Sequence, residues 1–288
     1  MPFTCFIAIA FMSLAKNNIL PSTIIFEDQD LMVINKAPNI IVNDATSHQS
    51  LSLQQQLAHY LQLPPSSTNY TLTINSSPLE VFQQRQGMVH RLDKNTSGLI
   101  VWAKNPPTLM HLLTQFRTRT TNKKYHCLVH GLFNEPSGRI FLPLARKSTN
   151  RQIMAVSADG REALTTYQVI DSYAIFNFEK LINQFPTSPL KKKHLNQLYQ
   201  GFSLLEVTLH TGRTHQIRAH FTHLQHPLVG DTAYLSKNKA KIDPLWCSRQ
   251  FLHASYLAFI HPRTQEKLTF TSPLPQDLQE TLIYLGSN

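Results

Sequence analysis

Short apolar runs separated by polar turns dominate the sequence after about residue 21. The runs at 24–26 and 31–34 flank an acidic turn, which is typical of a β-hairpin. Similar runs predict further strands at 40–42, 99–103, 124–130, 139–142, 163–169, 174–179, 202–209 and 256–260. Because turns rather than crossover helices join most of these runs, the pattern predicts an α+β fold. We expect a mixed, largely antiparallel sheet with flanking helices, in one domain over 22–288.

Apolar residues at helical spacing predict four helices. Leu53, Leu57 and Leu61 form one apolar stripe, and Asn105 is a plausible N-cap for a helix that begins with two prolines. The other two helices are predicted at roughly 213–224 and 277–284. The polar stretch 62–85 is predicted to be a long surface loop. The stretch 181–200 is interpreted as an irregular basic insertion.

The charge balance is the first feature that bears on function. The 288 residues include 27 Lys+Arg and 17 Asp+Glu, a formal net charge of +10. Such an excess favours a polyanionic partner, with nucleic acid ahead of an acidic membrane surface. A basic protein without such a partner is the alternative.

Cysteines and apolar segments bear on the compartment. Cys5, Cys127 and Cys247 are far apart and form no CxxC pair, which favours a reducing, cytoplasmic setting over a disulfide framework. No run reaches the 18 or so apolar residues of a membrane span. The segment 3–14 resembles the apolar part of a signal peptide but has no basic residue before it. We interpret 1–21 as an N-terminal extension, disordered or due to a mis-assigned start, with targeting as the alternative.

The segment HRLDKNTSGL at 90–99 is the first candidate for chemistry. Its polar residues and final glycine are typical of a turn, so Asp93 by itself has an ordinary structural interpretation. His90 and Arg91 precede the turn, where a cation can contact an RNA phosphate or hold an extruded base. Because His90 and Arg91 lie next to it in the sequence, we consider Asp93 a candidate reactive carboxylate.

The segment LHTGRTHQIRAH at 209–220 is the second candidate. The start of a helix offers backbone N–H groups to a phosphate, and a solvated basic face is the commoner alternative. The predicted RNA-binding residues in this segment are Arg213, Thr214, His215 and Gln216.

Arg218 in the same segment has a more specific prediction. It shares a helical face with His215 at i, i+3, while Ile217 and Phe221 can anchor the helix to a core and leave Arg218 half buried. A buried guanidinium requires a carboxylate partner. Asp93 is the candidate.

Two further patterns were weighed. Alternation in KKYHCLVHG at 123–131 places Tyr125 on one face of a strand, where a tyrosine is usually part of a core but can also stack on a base. Histidines cluster at 210–226, but the segment lacks HExxH and any nearby carboxylate. A metal site there is therefore the weaker interpretation.

Together these segments resemble the RluA family of pseudouridine synthases. HRLDKNTSGL matches the family motif HRLDxxTSGL, KKYHCLVHG is similar to KxYxAxVxG, and LHTGRTHQIRAH matches LxTGRTHQIRxH. Weaker similarity extends over about 22–275. Ala37-Pro38-Asn39 departs from the family's Pro-Ala-Gly, and no small RNA-binding domain precedes the matching region, so we expect substrate choice to rest with this domain and its loops.

The resemblance implies an RNA pseudouridine synthase with the fold of that family and no cofactor or metal. Asp93 would be the nucleophile, Arg218 would keep it ionised and aimed, and Tyr125 would stack on the uracil and assist loss of the C5 proton. His90 and Arg91 would replace the flipped base or bind phosphates. Whether Asp93 attacks C1′ or first helps to form a glycal stays open. The implied partner is ribosomal RNA, tRNA or both, with no membrane association and a monomer as the default.

Two rival functions and one further hypothesis remain. The rivals are a non-catalytic RNA-binding protein of the same fold and a metal-dependent hydrolase that uses the histidines. In addition, the run Lys191-Lys192-Lys193 is predicted to extend the RNA footprint.

Overall fold

The structure is a computed structural model and describes residues 22–43, 51–64, 66, 72–73, 75–184 and 198–286. The predicted extension 1–21 and the run at 191–193 lie outside these residues. The strands are β1 Thr23–Glu27, β2 Leu31–Lys36, β3 Ser97–Ala103, β4 Asn122–His130, β5 Ser137–Phe141, β6 Leu144–Lys147, β7 Asn150–Val156, β8 Leu164–Tyr173, β9 Ile175–Phe176, β10 Phe202–Leu209, β11 Leu252–Ile260, β12 Lys267–Thr271 and β13 Leu285–Gly286. The helices are α1 Leu53–Tyr60, α2 Pro78–Arg85, α3 Pro106–Thr118, α4 Phe178–Gln184, α5 Gln216–His223, α6 Lys237–Ile242 and α7 Gln276–Leu282, with a 3₁₀ turn at Asp243–Leu245.

Nine strands form one sheet in the order β1-β2-β3-β11-β4-β10-β8-β5, with β12 paired to β11. Only the short contact between β3 and β11 is parallel, and the other pairs in this sheet are antiparallel. The predicted mixed, largely antiparallel sheet is therefore confirmed. Two short strand pairs, β6–β7 and β9–β13, lie off this sheet.

The core that supports the site lies between one face of the sheet and α5. Tyr125, Cys127 and Val129 alternate along β4 onto that face, as the sequence pattern predicted. They belong to the same buried cluster as Ile217 and Phe221 of α5. This packing fixes α5 above the central strands and confirms its predicted anchoring.

The chain enters the middle of the sheet at β3, directly after the loop that carries Asp93. Gly98 has a φ of +112°, and a Cβ there would lie 2.3 Å from the carbonyl oxygen of Ala254 in β11. Only glycine permits this close approach of the two strands. The loop at 93–97 is therefore held against the centre of the sheet.

Several predicted elements are wrong, and the clearest case is the surface loop predicted over 62–85. Residues 78–85 form a helix where the sequence analysis predicted a surface loop. Ser77 and Glu80 form a reciprocal capping box, and Pro78 occupies the first turn. These are ordinary start signals for a helix.

Other differences concern short apolar runs. Residues 40–42 form no strand; the carbonyl groups of Ile41 and Val42 instead accept hydrogen bonds from the first turn of α1. Within 174–179, only β9 is a strand, and α4 begins at Phe178 and occupies part of the predicted irregular insertion. Hairpin β6–β7 was not predicted. Among the described residues, no helix is long and apolar enough to cross a membrane.

Candidate active site

One cavity of about 570 Å³ brings the predicted site residues together. Its walls come from the loop before β3, the C-terminal end of α3, β4, and the segment that leads into α5. The predicted residues in its lining are His90, Arg91, Asp93, Tyr125, Arg213, Thr214, His215, Gln216 and Arg218. These residues come from three distant parts of the sequence, so the fold assembles them.

The predicted contact between Asp93 and Arg218 is present. Nη1 of Arg218 donates a hydrogen bond of 3.0 Å to Oδ2 of Asp93, across 125 positions of sequence. The Arg218 side chain is 7% exposed, whereas that of Asp93 is 19% exposed and faces the cavity. No hydrogen bond to Oδ1 of Asp93 is found within the described part of the chain. One carboxylate oxygen is thus fixed, and the other is available to a bound molecule.

Asp231 is a second partner of Arg218 that the sequence analysis missed. Its two carboxylate oxygens accept hydrogen bonds from Nε and Nη2 of Arg218, both at 2.7 Å. Burial opposes the charge of Arg218, but the bonds and charges of Asp231 and Asp93 raise the pKa of the guanidinium above its ordinary value. Arg218 is therefore a permanent cation shared by two carboxylates.

Tyr234 connects this cluster to the rest of the site. The Arg218 guanidinium lies over its ring, 4.8 Å from the centroid, a distance at which a cation is attracted by an aromatic face. The Tyr234 hydroxyl lies 3.1 Å from Nδ1 of His215 and also bonds the backbone of Met154 in β7. The other ring nitrogen of His215, Nε2, lies 3.8 Å from Oδ2 of Asp93. Burial lowers the pKa of His215, and the charge of Asp93 opposes that shift.

Tyr125 forms the aromatic part of the cavity wall. Its side chain is buried in the sheet but lines the same space as Asp93. Burial and the negative charge of Asp93 raise the pKa of the Tyr125 phenol. Tyr125 is therefore a neutral phenol near pH 7, which favours a stacking surface over a phenolate base.

The structure gives His90 a different character from the predicted cation. Nε2 of His90 accepts a hydrogen bond of 3.1 Å from the backbone N–H of Val101, and the ring stacks on Phe116 at 4.5 Å. Burial, with the charges of Lys123 and Arg85, lowers the pKa of His90 to about 3. A neutral ring fixed in this way supports the wall of the cavity and cannot bind a phosphate as a cation.

Gln216 also differs from its predicted RNA contact. Its carbonyl oxygen accepts bonds from the Thr211 hydroxyl and the Arg213 backbone N–H, and its amide donates to the Leu164 carbonyl and the Thr165 hydroxyl. The side chain is thus fully used inside the protein, and its role is to fix the turn before α5.

Arg213 and Thr214 lie in that turn rather than in the helix, because α5 begins at Gln216 instead of near residue 213. Thr214 is exposed, and Arg213 is partly exposed with Nε donating to the Glu162 carbonyl. Both therefore remain candidates for contact with a ligand.

The cavity is strongly basic. Its lining includes one carboxylate, that of Asp93, and several cations. Two of these, Arg117 and Arg119 at the end of α3, are exposed and were not predicted from the sequence. The lining cations are Arg91, Arg117, Arg119, Lys123, Arg213 and Arg218. This excess suits a ligand with several negative charges.

Four of the five histidines at 210–226, His210, His215, His220 and His226, contact other protein groups. His220 is fully buried between the Thr165 hydroxyl and the Leu142 carbonyl, and Nδ1 of His226 contacts the His130 carbonyl. Over the described ranges, the only group of three candidate metal ligands is Asp28, Asp30 and His261.

That group has its own internal partners. Nδ1 of His261 accepts two backbone N–H groups, which leaves Nε2 to donate to Asp28, and Arg263 pairs with Asp30. The geometry indicates a structural cluster and gives no support to the metal-dependent hydrolase.

Known proteins that resemble this chain agree on one family. The family described as RNA pseudouridylate synthase matches residues 30–223. An uncharacterized RNA pseudouridine synthase of Chlorobaculum parvum is 36% identical over 278 residues, which cover 91% of this chain and 74% of that protein. Ribosomal large subunit pseudouridine synthase D of Zymomonas mobilis is 35% identical over 267 residues, covering 90% of this chain and 71% of that protein.

Solved structures show the same fold. Human RNA pseudouridylate synthase domain containing 1 matches with a TM-score of 0.62 and 22% identity, over 89% of this chain and 85% of that one. Human RNA pseudouridylate synthase domain containing 4 matches with a TM-score of 0.59 and 21% identity, over 92% and 94% respectively. At this level of identity the likeness concerns the fold alone.

Proposed function

The chain belongs to the RNA pseudouridylate synthase family, and we propose that it isomerises uridine to pseudouridine in structured RNA through Asp93. The observation that carries this assignment is the hydrogen bond between Asp93 and Arg218 at the wall of a basic cavity. Binding alone needs no carboxylate among cations that attract a polyanion. The position of Asp93 therefore favours chemistry over passive RNA binding.

The reaction sets clear demands on the site. The N1–C1′ bond of uridine breaks, the uracil turns, and C5 bonds to C1′; the proton on C5 is lost and N1 gains one. No atoms or electrons are exchanged with a second substrate, so side chains suffice. A uridine within paired RNA must first leave the stack, at a cost of a few kcal/mol. The cavity must therefore hold the extruded nucleotide and its flanking phosphates.

Asp93 supplies the reactive carboxylate. Oδ2 is held by Arg218, and Oδ1 can contact the sugar of a nucleotide in the cavity. The Arg218 cation stabilises the negative charge of the ionised carboxylate by attraction. Either first step, attack on C1′ or assistance in forming a glycal, uses the carboxylate in this ionised form.

The other lining residues hold the nucleotide. The Tyr125 ring offers an apolar face to the uracil, and such stacking is worth about 1–3 kcal/mol per base. Arg91, Arg117, Arg119 and Arg213 line the same cavity, which supports a role in binding the phosphates that flank the extruded uridine.

The names of relatives suggest where to look for the substrate. Several relatives, including those of Zymomonas mobilis and Vibrio cholerae, are ribosomal large subunit pseudouridine synthases. We therefore propose large-subunit ribosomal RNA as the first candidate and tRNA as the second. Cytoplasmic location and a monomeric state remain predictions.

Mapping of pseudouridine tests this proposal. Unmodified transcripts of large-subunit ribosomal RNA and of tRNA would be incubated with the protein, and pseudouridine located by carbodiimide adducts that stop reverse transcription. We expect new stops with the wild type and none with Asp93→Asn. Stops that persist with Asp93→Asn would exclude the proposed role of Asp93. Binding of both transcripts without any stop would favour the non-catalytic rival.

A further inference from the structure

Asp231 occupies more of the Arg218 guanidinium than Asp93 does. Two of the three charge-assisted bonds to Arg218 go to Asp231, at 2.7 Å each, against one of 3.0 Å to Asp93. The Asp231 side chain is 1% exposed and does not line the cavity. It also lies beyond residue 223, where the match to the family ends. Asp231 thus touches the Arg218 guanidinium from the side away from the cavity.

The turn that carries Asp231 is itself rigidly held. Oδ2 of the fully buried Asp243 accepts the backbone N–H of Gly230 at 3.0 Å. Gly230 has a φ of +72°, and a Cβ there would lie 2.1 Å from the Arg249 carbonyl oxygen. A backbone fixed on both sides gives the Asp231 carboxylate one position, and its two parallel bonds fix the plane of the Arg218 guanidinium.

The charges in this cluster oppose one another. Arg218 carries one positive charge, whereas Asp93 and Asp231 together carry two negative charges when ionised. A second carboxylate near the same cation reduces the net attraction that the cation exerts on the first. Asp93 is thus less firmly paired than it would be with Arg218 alone, and Oδ1 keeps its reactivity toward the cavity.

We propose that Asp231 is a positioning residue that orients the Arg218 guanidinium and, by sharing its charge, limits how strongly Arg218 stabilises the Asp93 carboxylate. This inference rests on the proposed function, because it concerns a residue that acts through Arg218 on the reactive group. Tyr234 completes the frame by covering the flat face of the guanidinium. Asp231 needs no contact with RNA.

Asp231→Asn tests the proposal because it keeps the shape and removes the charge. The measurement is the single-turnover rate of tritium release from [5-³H]uridine in whichever transcript the wild type modifies, at saturating protein, from pH 3 to pH 9. We expect the rate at the plateau to fall about 10–100-fold, because a misplaced group costs about that much. RNA affinity should be unchanged.

The acid limb of the profile gives the diagnostic result. Activity needs the ionised Asp93 carboxylate, so the rate falls at low pH, and this fall is the acid limb. Without the charge of Asp231, Arg218 pairs with Asp93 alone and stabilises its carboxylate more strongly, so the acid limb moves to lower pH. A residue that only stabilised the fold would lower the melting temperature and leave the limb in place. A folded Asp231→Asn protein with an unmoved or raised limb overturns the proposal.

Asp231→Glu covers the case in which Asp231→Asn does not fold. Because the longer side chain displaces the Arg218 guanidinium, we expect a lower plateau rate. Because the negative charge is kept, the acid limb of the pH–rate profile should not move. A wild-type plateau in Asp231→Glu also overturns the proposal.

Asp30→Asn is the matched control, because Asp30 is a buried carboxylate that pairs with Arg263 outside the cavity. It should leave plateau and limb unchanged. If the wild type releases tritium from neither the ribosomal RNA nor the tRNA transcript, the proposed function fails; if Asp93→Asn keeps full activity, the proposed role of Asp93 fails, and not merely that of Asp231.

Discussion

Two buried arginines, Arg218 and Arg249, hold the loop of Asp93 in different ways. Each binds one aspartate through two nitrogens, Asp231 for Arg218 and Asp277 for Arg249. Arg218 directs its remaining donor at the Asp93 carboxylate on the cavity wall. Arg249 also donates to the residues that follow Asp93, with a bond of 2.9 Å to the Asn95 carbonyl and one of 3.0 Å to the hydroxyl of Ser97.

The difference shows that the ion pair alone does not define a catalytic group. What distinguishes the two arginines is the group that their remaining N–H donors contact. For Arg218 this group is a partly exposed carboxylate in the cavity, and for Arg249 it is backbone in the interior. We therefore propose that Arg218 takes part in the chemistry, whereas Arg249 fixes the loop that carries Asp93. Variants of the two clusters should separate these roles.

The largest effect is expected for Arg218→Gln. Rate should fall more than 100-fold, because Asp93 loses its aim. Asp231 becomes a buried carboxylate without its partner, which costs about 3–5 kcal/mol of folding free energy. The acid limb of the pH–rate profile should move to higher pH, since the Asp93 carboxylate loses its neighbouring cation.

Single-turnover rates across pH and urea unfolding measure these changes. If the acid limb of the Arg218→Gln profile stayed at its wild-type position, Arg218 would be a purely structural residue, like Arg249.

An intermediate effect is expected for Arg249→Lys. Lysine cannot reproduce the forked contact with Asp277 together with the bonds to Asn95 and Ser97. The loss should cost about 1–3 kcal/mol of folding free energy and lower the rate by about tenfold or less through a looser loop. Because Arg249 does not contact the Asp93 carboxylate, the acid limb should not move. A shifted limb would show that the two clusters are not separable.

The smallest effect is expected for Asp277→Asn. The Asp277 side chain is 40% exposed, so its pair with Arg249 is screened by solvent. We expect a loss of about 1 kcal/mol or less in urea unfolding and a wild-type plateau rate. A rate loss as large as that of Asp231→Asn would contradict the distinction between a chain-facing and a cavity-facing arginine.

The sequence predicted the parts of the site that form continuous motifs. Asp93, Tyr125 and Arg218 lie in three segments whose periodicity and polar residues mark them, and the requirement of a buried guanidinium for a carboxylate paired two of them correctly. Asp231 was missed because a short Gly-Asp segment resembles any turn. Its function depends on Asp243 and Arg249, whose contact with that turn is created by the fold.

The predictions of charge and of secondary structure were wrong where tertiary contacts determine the state of a residue. His90 looked like a cation beside Arg91, but burial against Phe116 and a backbone N–H makes it neutral. The run at 40–42 has the composition of a strand, yet its carbonyl groups serve the start of α1. In contrast, α2 was predictable, since its capping box is visible in the sequence as Ser77-Pro78-Leu79-Glu80.

The most direct test of the account is the single-turnover rate of Asp93→Asn beside its RNA affinity. The substitution keeps the shape of the side chain and its place beside Arg218, but removes the charge that the reaction requires. We predict no measurable tritium release from [5-³H]uridine in a transcript that the wild type modifies, with RNA affinity within about threefold of wild type, because phosphate contacts dominate binding. Release at a rate within tenfold of the wild type would contradict the central role of the Asp93 carboxylate.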